Sequence, residues 1–501
     1  MGFKKLFKSQ EFWVAIIFLS VLAIRLIIAF QTPFFNYEAY FSLRQVENIK
    51  DTGLPLYNDP LSYGGKSQLF APLNYYVLAF FSLFMRDDIA AKIIPNIFAA
   101  FIVILAYFMA LKITKSPRIS LLTSFMAGFI PIMFFDINRV SIDYLSTLLV
   151  FSVIYCIFRI NEKKYVDYAL ILIFLLVLTT PLALILIIGL LFYLLLLKLE
   201  NHHVEMKELE IILFFAFLSF WVNLLIFKNA FLNHGFLVIW QNIPTEIITG
   251  FFNKLTLLET FYTISIIPLL LGLYGFYLAF HEERNKEVML LTGFGISVFL
   301  LMWFRLLNLV TSIMLLSITL VIISAFALRK TTNFVEKTKL HKYEKIFLIV
   351  FVIIFLLTSI LPSIYLGVEK SKDTPRIEDV VVLEWAEQNT PKSATITGTL
   401  QEGHLISYYA KRRNIMDENF LLIQNIDQRL NDLDNLYTTK FQIEAVSIMN
   451  SYDSKYILFT DEARINYGIQ NLSYIDNECF QQVFYSQNAS IYLNKCKVEN
   501  E

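Results

Sequence analysis

Charged residues are scarce in this sequence, and cysteine is nearly absent. Asp, Glu, Lys and Arg make up 17% of the 501 residues, against about 25% in a typical soluble domain. The three cysteines form no Cys-x-x-Cys pair, and no Gly-rich phosphate loop or Gly-x-Ser-x-Gly motif occurs. Basic and acidic residues balance at 42 each. Because a nucleic-acid binder needs a basic surface, this balance argues against a nucleic-acid partner.

Hydrophobic residues take up 56% of the chain and are concentrated in long runs. A membrane-spanning helix needs about 20 predominantly apolar residues, so we predict about eleven spans. The Thr179-Thr180-Pro181 sequence disfavours a continuous helix and divides one long run into two spans. The run from Pro72 to Met85 is too short to span and is expected to lie at the interface. The predicted spans lie near 12–30, 93–112, 119–136, 141–158, 167–198 (two spans), 209–227, 258–280, 288–304, 309–328 and 346–366.

The distribution of Lys and Arg predicts the orientation of these helices. Basic residues near helix ends mark the cytoplasmic side. With the N-terminus inside, they fall into the inner loops around 112–118, 159–164, 198–207, 284–286 and 329–345. The pattern predicts a multi-pass cell-membrane protein whose C-terminal domain lies outside the cytoplasm.

Two domains follow from the change in composition after Pro362. Residues 1–366 form the transmembrane domain, with long outer loops at 31–92 and 228–257, and residues 367–501 form a soluble extracytoplasmic α/β domain. Periodicity in the second domain predicts helices and strands that alternate. The expected helices are 379–388 and 441–452, the strands Ala394–Thr399, Leu405–Tyr409 and Tyr456–Thr460, and the final hairpin Gln481–Phe484 with Ser490–Leu493.

Cys479 and Cys496 flank this hairpin at equal distances from its predicted turn, Ser486-Gln487-Asn488-Ala489. A regular antiparallel pairing would place them opposite each other, close enough for a disulfide. A non-cytoplasmic location favours the bond. A bulge would shift the register and separate the two side chains.

The first outer loop carries a recognisable series of residues. It begins Asn36-Tyr-Glu38-Ala-Tyr40, continues to Arg44 and a Gly53-Leu-Pro55 turn, and ends with Pro72-Leu-Asn-Tyr-Tyr76. This loop resembles the first outer loop of GT-C superfamily glycosyltransferases, such as the archaeal oligosaccharyltransferase catalytic subunit and the protein O-mannosyltransferases. The outer C-terminal domain and its Trp385-Ala-Glu-Gln-Asn-Thr-Pro391 segment fit the same resemblance.

The resemblance implies transfer of a sugar from a polyprenyl-phosphate or -diphosphate donor in the membrane to a protein or glycan acceptor outside the cytoplasm. An inverting transfer needs a carboxylate that takes the proton of the acceptor nucleophile. Glu38 occupies that position, where the family usually has Asp. Arg305, basic on the outer side, resembles the lipid-phosphate-binding Arg of the family. Further candidates for substrate binding are Tyr40, Arg44 and, in the second outer loop, Glu246.

A second acidic segment contains Asp136 and Asp143 at the outer ends of two predicted helices. The resemblance implies that an acidic residue here helps to bind a divalent cation, and Asp143 matches that position better. Mg²⁺ or Mn²⁺ takes oxygen ligands of this kind. An Asp at a helix N-terminus is also favourable on dipole grounds alone.

Two alternatives remain open. A transporter or flippase of lipid-linked sugars would also be a multi-pass protein, although such proteins often contain internal repeats and ionisable groups at mid-membrane. A non-catalytic GT-C relative is the other alternative, because Glu38 replaces the usual Asp.

Overall fold

The computed structural model describes residues 10–234, 257–278, 285–338 and 342–497, apart from 343, 421, 424 and 477. Helices dominate it up to residue 370, and a mixed sheet lies in the C-terminal part. The helices of the first part are α1 Gln10–Ala29, α2 Ala39–Thr52, α3 Leu73–Phe81, α4 Asp87–Thr114, α5 Pro117–Gly128, α6 Ile142–Phe158, α7 Lys163–Thr179, α8 Ala183–Leu199, α9 Met206–His234, α10 Leu257–Ile264, α11 Ile266–Leu278, α12 Lys286–Trp303, α13 Leu309–Lys337, α14 Glu344–Phe355 and α15 Leu361–Lys370.

Each apolar run predicted to span the membrane contains helix. Among the described residues, six helical segments are long and apolar enough to cross a membrane. Several others are shorter, such as α6 and α8, and the helix count of about eleven stays a prediction. Helix α3 has nine residues, or about 14 Å, which is far less than the hydrocarbon thickness of about 30 Å.

Two of the apolar helices approach each other through glycine. A Cβ on Gly189 of α8 would lie 2.9 Å from Phe294 Cα of α12, and one on Gly293 would lie 2.7 Å from the Tyr193 nitrogen. Small residues at such a contact allow two backbones to pack closely in a membrane. This packing is part of the large apolar core that holds the helical part together.

The C-terminal sheet has five strands: β3 Thr395–Thr397, β4 Arg413–Asn414, β5 Tyr456–Phe459, β6 Phe480–Ser486 and β7 Ala489–Asn494. Their order in the sheet is β4-β3-β5-β7-β6. Strand β3 is parallel to β4 and β5, whereas β7 is antiparallel to β5 and β6. Helices lie between the strands in sequence, as the expected α/β pattern requires. The helices of the C-terminal part are α16 Ile377–Asn389, α17 Gly403–Leu405, α18 Ile426–Thr438, α19 Gln442–Ser451 and α20 Asp461–Tyr467. A separate two-stranded sheet lies in the first outer loop, before α3, and consists of β1 Asn58–Asp59 and β2 Lys66–Ser67.

One predicted strand is wrong. Leu405–Tyr409 is helical, because α17 continues as a π-helical segment, Ile406–Ala410. The apolar and aromatic residues suggested a strand, but the buried Leu405 and Ile406 pack instead in a core shared with the first outer loop. β-Propensity mostly reports packing on a sheet face, and tertiary contacts override it here.

The C-terminal hairpin has the predicted turn, since Ser486 pairs with Ala489 across it. The two sulfurs of Cys479 and Cys496 are bonded. A register irregularity between Gln482 and Phe484 accompanies the bond. The expectation that a bulge would separate the cysteines is therefore wrong in this structure. Both cysteines lie beyond the ends of the strands, where the chain can adjust.

Candidate active site

A cavity of about 1030 Å³ lies where the first outer loop, the turn before α6 and the C-terminal part of the chain meet. The outer loop contributes Glu38 and an aromatic group that includes Phe41 and Tyr75. Asp143 lines the cavity from the start of α6, and Asn308 lines it from the start of α13. A volume of this size is at the upper end of the range for small-molecule sites.

Lys92 of α4 holds the beginning of the first outer loop in place. Its ammonium group donates to the carbonyl oxygens of Ala29, at 2.6 Å, Thr32 and, at 3.3 Å, Phe34. Lys92 is 3% exposed, so these backbone acceptors are what stabilise its buried ammonium group. The contacts fix the exit of the chain from α1 shortly before Glu38.

A second buried cation, Arg25, holds the turn between α5 and α6. Its Nη1 donates to the Met133 carbonyl at 2.5 Å, and its Nε donates to Asn96 Oδ1 at 2.9 Å. Asn96 in turn donates to the Ile137 carbonyl at 3.2 Å. The basic position inside the first helix thus has a structural role, because it anchors the turn that carries Asp136 and Arg139.

The two anchored segments meet directly. The backbone N–H of Asn36 donates to the carbonyl of Asn138 at 3.1 Å, which sets Glu38 beside Arg139. The next residue, Val140, has a φ of 56°. This left-handed conformation is a true outlier for a β-branched residue, and such strain is characteristic of functional sites. Val140 thus lies between Arg139 and the start of α6.

Glu38 forms an ion pair with Arg139, whose Nε and Nη2 both contact Glu38 Oε2. Arg139 Nη1 also lies 3.4 Å from Asp136 Oδ1. Asp136 is 2% exposed, and its Oδ2 has no hydrogen-bond partner among the described residues. Glu38 and Arg139 line the cavity, whereas Asp136 lies behind them.

Asp143 lies in the first turn of α6. Ser141 caps this helix, because its hydroxyl accepts from the Asp143 backbone N–H at 3.1 Å. Asp143 Oδ2 accepts from the Thr311 hydroxyl at 2.6 Å, which joins α6 to α13. Asn308 caps α13 and lies in the same cavity wall. The structure thus brings Asp143 and Glu38 to one cavity.

Arg305 lies in the link between α12 and α13, with a φ of 57° and an exposed side chain. It does not line the cavity itself, but Asn308, three residues later, does. Glu246, the candidate in the second outer loop, lies outside the described residues.

Tyr40 and Arg44 do not line the cavity. Tyr40 is 1% exposed and its ring packs 5.3 Å from the ring of Tyr408. Arg44 is 8% exposed, and its two terminal nitrogens bind both oxygens of Asp59 at 2.7 Å each. This bidentate pair braces the outer loop, so the geometry gives both residues a packing role.

A metal ion was expected at Asp143 and Asp136. Among the described residues, no group of three or more His, Cys, Asp and Glu side chains could hold one. Arg139 lies between Glu38 and Asp136, and a hydroxyl donor from Thr311 occupies Asp143 Oδ2. The residues present do not fit a dedicated metal site, so no step is assigned to a metal below.

The first outer loop is clasped to the C-terminal part by Asp417, which is fully buried. Its carboxylate accepts from Ser62, from Asn414 at 3.2 Å and from Lys66 at 3.2 Å, and its carbonyl accepts from the Tyr63 hydroxyl at 2.5 Å. Burial alone would raise the pKa of Asp417, but nearby His404 and Lys66 and these hydrogen bonds lower it to about 2. We call Ser62, Tyr63, Lys66, Asn414 and Asp417 the clasp. Ser67 and Glu418, which directly follow Lys66 and Asp417 in the sequence, line the cavity.

Sequence reasoning did not find the roles of Arg139 and Asp417. Arg139 is 101 residues from Glu38, and Asp417 is 355 residues from Ser62. The one signal in the sequence was that Arg139 stands between two acidic residues, Asp136 and Asp143.

Solved structures share this fold. Archaeal oligosaccharyltransferase AglB from Archaeoglobus fulgidus, in complex with an inhibitory peptide and a dolichol-phosphate, matches with a TM-score of 0.66 at 14% identity over 89% of this chain and 69% of that one. The same organism's oligosaccharyltransferase with Zn and sulfate gives 0.62 at 16% identity, covering 88% and 67% of the two chains. ArnT from Cupriavidus metallidurans bound to undecaprenyl phosphate gives 0.58 at 11% identity, covering 96% and 98%.

No protein-family model and no curated protein matches the chain. The likeness to solved structures confirms the GT-C resemblance at the level of the fold: a membrane helical protein with a C-terminal sheet domain.

Proposed function

We propose that this chain is an inverting membrane glycosyltransferase that uses a sugar donor linked to a polyprenyl phosphate or diphosphate. The observation that carries the proposal is that Glu38, Asp143 and residues of the C-terminal part line the same cavity. A carboxylate that can act as a general base, placed in a cavity large enough to hold two substrates together, suits such a transfer.

The reaction assigned to this cavity is a direct displacement at the anomeric carbon of the donor sugar. The acceptor nucleophile attacks that carbon while the bond from the carbon to the phosphate oxygen breaks. Glu38 takes the proton that the nucleophile loses, and the polyprenyl phosphate or diphosphate leaves as an anion. Because the attack comes from the face opposite the leaving group, the anomeric configuration inverts.

The leaving phosphate needs a cation, and most of the charged side chains that line the cavity are acidic. The acidic residues of the lining are Glu38, Asp143, Glu418 and Asp434, and its guanidinium group is that of Arg139. We assign the lipid phosphate to the side of Arg305, which lies just before cavity-lining Asn308. Arginine can bind two phosphate oxygens at once. The carboxylates that line the cavity suit a neutral or basic acceptor.

The likeness to relatives supports this choice of substrates. The archaeal enzyme was solved with a peptide and a dolichol-phosphate, and ArnT with undecaprenyl phosphate. The distribution of Lys and Arg supports a site on the non-cytoplasmic face. The acceptor in our proposal is a protein or a glycan, and the surrounding lipid delivers the donor.

The test is a transfer assay with the purified full chain in lipid nanodiscs. Sugars linked to polyprenyl phosphates and diphosphates are offered with peptide and oligosaccharide acceptors, and products are analysed by mass spectrometry and NMR. We expect a product of inverted anomeric configuration from at least one donor. Absence of transfer from the whole panel, together with donor movement across the bilayer of reconstituted vesicles, would favour a flippase instead.

A further inference from the structure

Arg139 lies between two carboxylates that come from distant parts of the chain. Its Nε and Nη2 contact Glu38 Oε2 of the first outer loop, and its Nη1 lies 3.4 Å from Asp136 Oδ1. The exposed fractions of the three side chains are 22% for Arg139, 31% for Glu38 and 1% for Asp136. One guanidinium group therefore links a cavity-facing carboxylate to a buried one.

The arrangement has the charge pattern of a divalent cation site, in which carboxylate oxygens from separate segments converge on one positive centre. A guanidinium group is planar, is always charged and can serve carboxylates on two of its edges. It cannot share the space with a metal ion, because the two cations would repel each other strongly at such a short distance.

The contacts of Asp136 support a fixed position for Arg139. A buried carboxylate that lost its cation would be strongly destabilising, and Asp136 Oδ2 has no hydrogen-bond partner among the described residues. The hydrogen bond between Asn36 and Asn138 holds the two segments in register. Arg139 is thus built into the site and is not a mobile surface side chain.

We infer that Arg139 takes the place of a divalent cation beside Glu38 and acts as a positioning residue that orients this carboxylate towards the acceptor. This inference rests on the proposed function for the role of Glu38. The part that concerns the cation site does not depend on activity and can be tested without a substrate.

The first test is Mn²⁺ binding to the purified full chain, measured by electron paramagnetic resonance. We compare the wild type, Arg139→Gln and the control Arg159→Gln, which removes an arginine paired with Glu162 and does not line the cavity. We expect no stoichiometric Mn²⁺ in the wild type or the control, and one Mn²⁺ per chain in Arg139→Gln. Stoichiometric binding by the wild type that is lost in Asp143→Asn would overturn the inference, and so would absence of binding by correctly folded Arg139→Gln.

The second test uses transfer kinetics once a donor is known. We expect Arg139→Gln to lower kcat by about 10²-fold or more, on the scale of a mispositioned base, with little change in the KM for the donor. Arg139→Lys keeps the charge and should recover part of that loss. A raised donor KM at unchanged kcat would mean that Arg139 binds the donor phosphate, which contradicts a positioning role. A wild-type protein that transfers no sugar but also binds no Mn²⁺ would count against the proposed function and leave the cation assignment standing.

Discussion

Replacing Asp417 with alanine should loosen the first outer loop from the C-terminal part. The substitution removes the acceptor of Ser62 and Asn414 and leaves the Lys66 ammonium, whose side chain is 5% exposed, without its counter-charge. Breaking a buried ion pair from one side costs about 3–5 kcal/mol. Because the entropy of unfolding grows with chain length, 1 kcal/mol shifts the melting temperature of a chain of 501 residues by roughly 1 °C. The melting temperature should therefore fall by roughly 3–5 °C.

The matched control is Asp87→Ala, which breaks the pair between Lys50 and Asp87. Like the pair between Lys66 and Asp417, it joins a lysine of the first outer loop to an aspartate, with the Lys50 nitrogen 2.7 Å from Asp87 Oδ1. Its side chains, however, are 32% and 21% exposed. Exposed pairs contribute about 0–1 kcal/mol, so the control should melt within about 1 °C of the wild type. Thermal unfolding in detergent measures the melting temperature of the whole protein. Limited proteolysis within residues 58–68 reports whether the first outer loop itself has loosened.

Equal melting temperatures for Asp417→Ala and Asp87→Ala would refute the reasoning that the clasp holds the cavity walls together. The double variant Lys66→Met/Asp417→Ala provides a further check. Because it removes both charges, it should be more stable than Asp417→Ala alone. Additive losses would show that the two groups do not interact.

Three further predictions concern other parts of the chain. Burial raises the pKa of Glu402 from 4.5 to about 8, so the stability that the protonated acid provides is complete below about pH 4.5 and is lost as the pH rises through 8. The free energy of unfolding of Glu402→Gln should therefore match that of the wild type near pH 5 and exceed it at pH 9, by at most about 4–5 kcal/mol. Equal pH profiles of the two proteins in thermal unfolding would contradict this prediction. Replacing both Cys479 and Cys496 with serine should cost roughly 3 kcal/mol for a loop of this length, whereas two free thiols in the unreduced wild type by mass spectrometry would argue against the bond. Reporter fusions at residues 200 and 335 should give a cytoplasmic signal, and an outside signal at either would contradict the predicted orientation.

Local patterns predicted the elements of this fold well. Apolar runs marked the membrane helices, and the turn at 486–489 marked the last hairpin, because both depend on residues close in sequence. The short apolar run before Met85 became the short helix α3 for the same reason. Leu405–Tyr409 was predicted as a strand, although its side chains pack against the first outer loop, because that contact is not visible in local periodicity.

The candidate site was predictable only in part. Glu38 and Asp143 could be singled out because they lie near the ends of predicted membrane helices, in segments that resemble known ones. The pairing of Glu38 with Arg139 could not, since it depends on how two anchored segments meet in space. Arg44 differs from both: a cation in a loop motif predicted substrate binding, and this stays a prediction. In the structure its two terminal nitrogens bind the two oxygens of buried Asp59, a contact that local sequence does not reveal.

The central claim is that Glu38 takes the acceptor proton in a sugar transfer. Glu38→Gln keeps the size of the side chain but removes its basicity, so it should lower kcat by about 10²–10⁴-fold, the range for a general base, while the melting temperature changes little. Glu384→Gln, at an exposed position of α16, serves as the control and should transfer at the wild-type rate. Full transfer activity in a correctly folded Glu38→Gln protein would contradict the account.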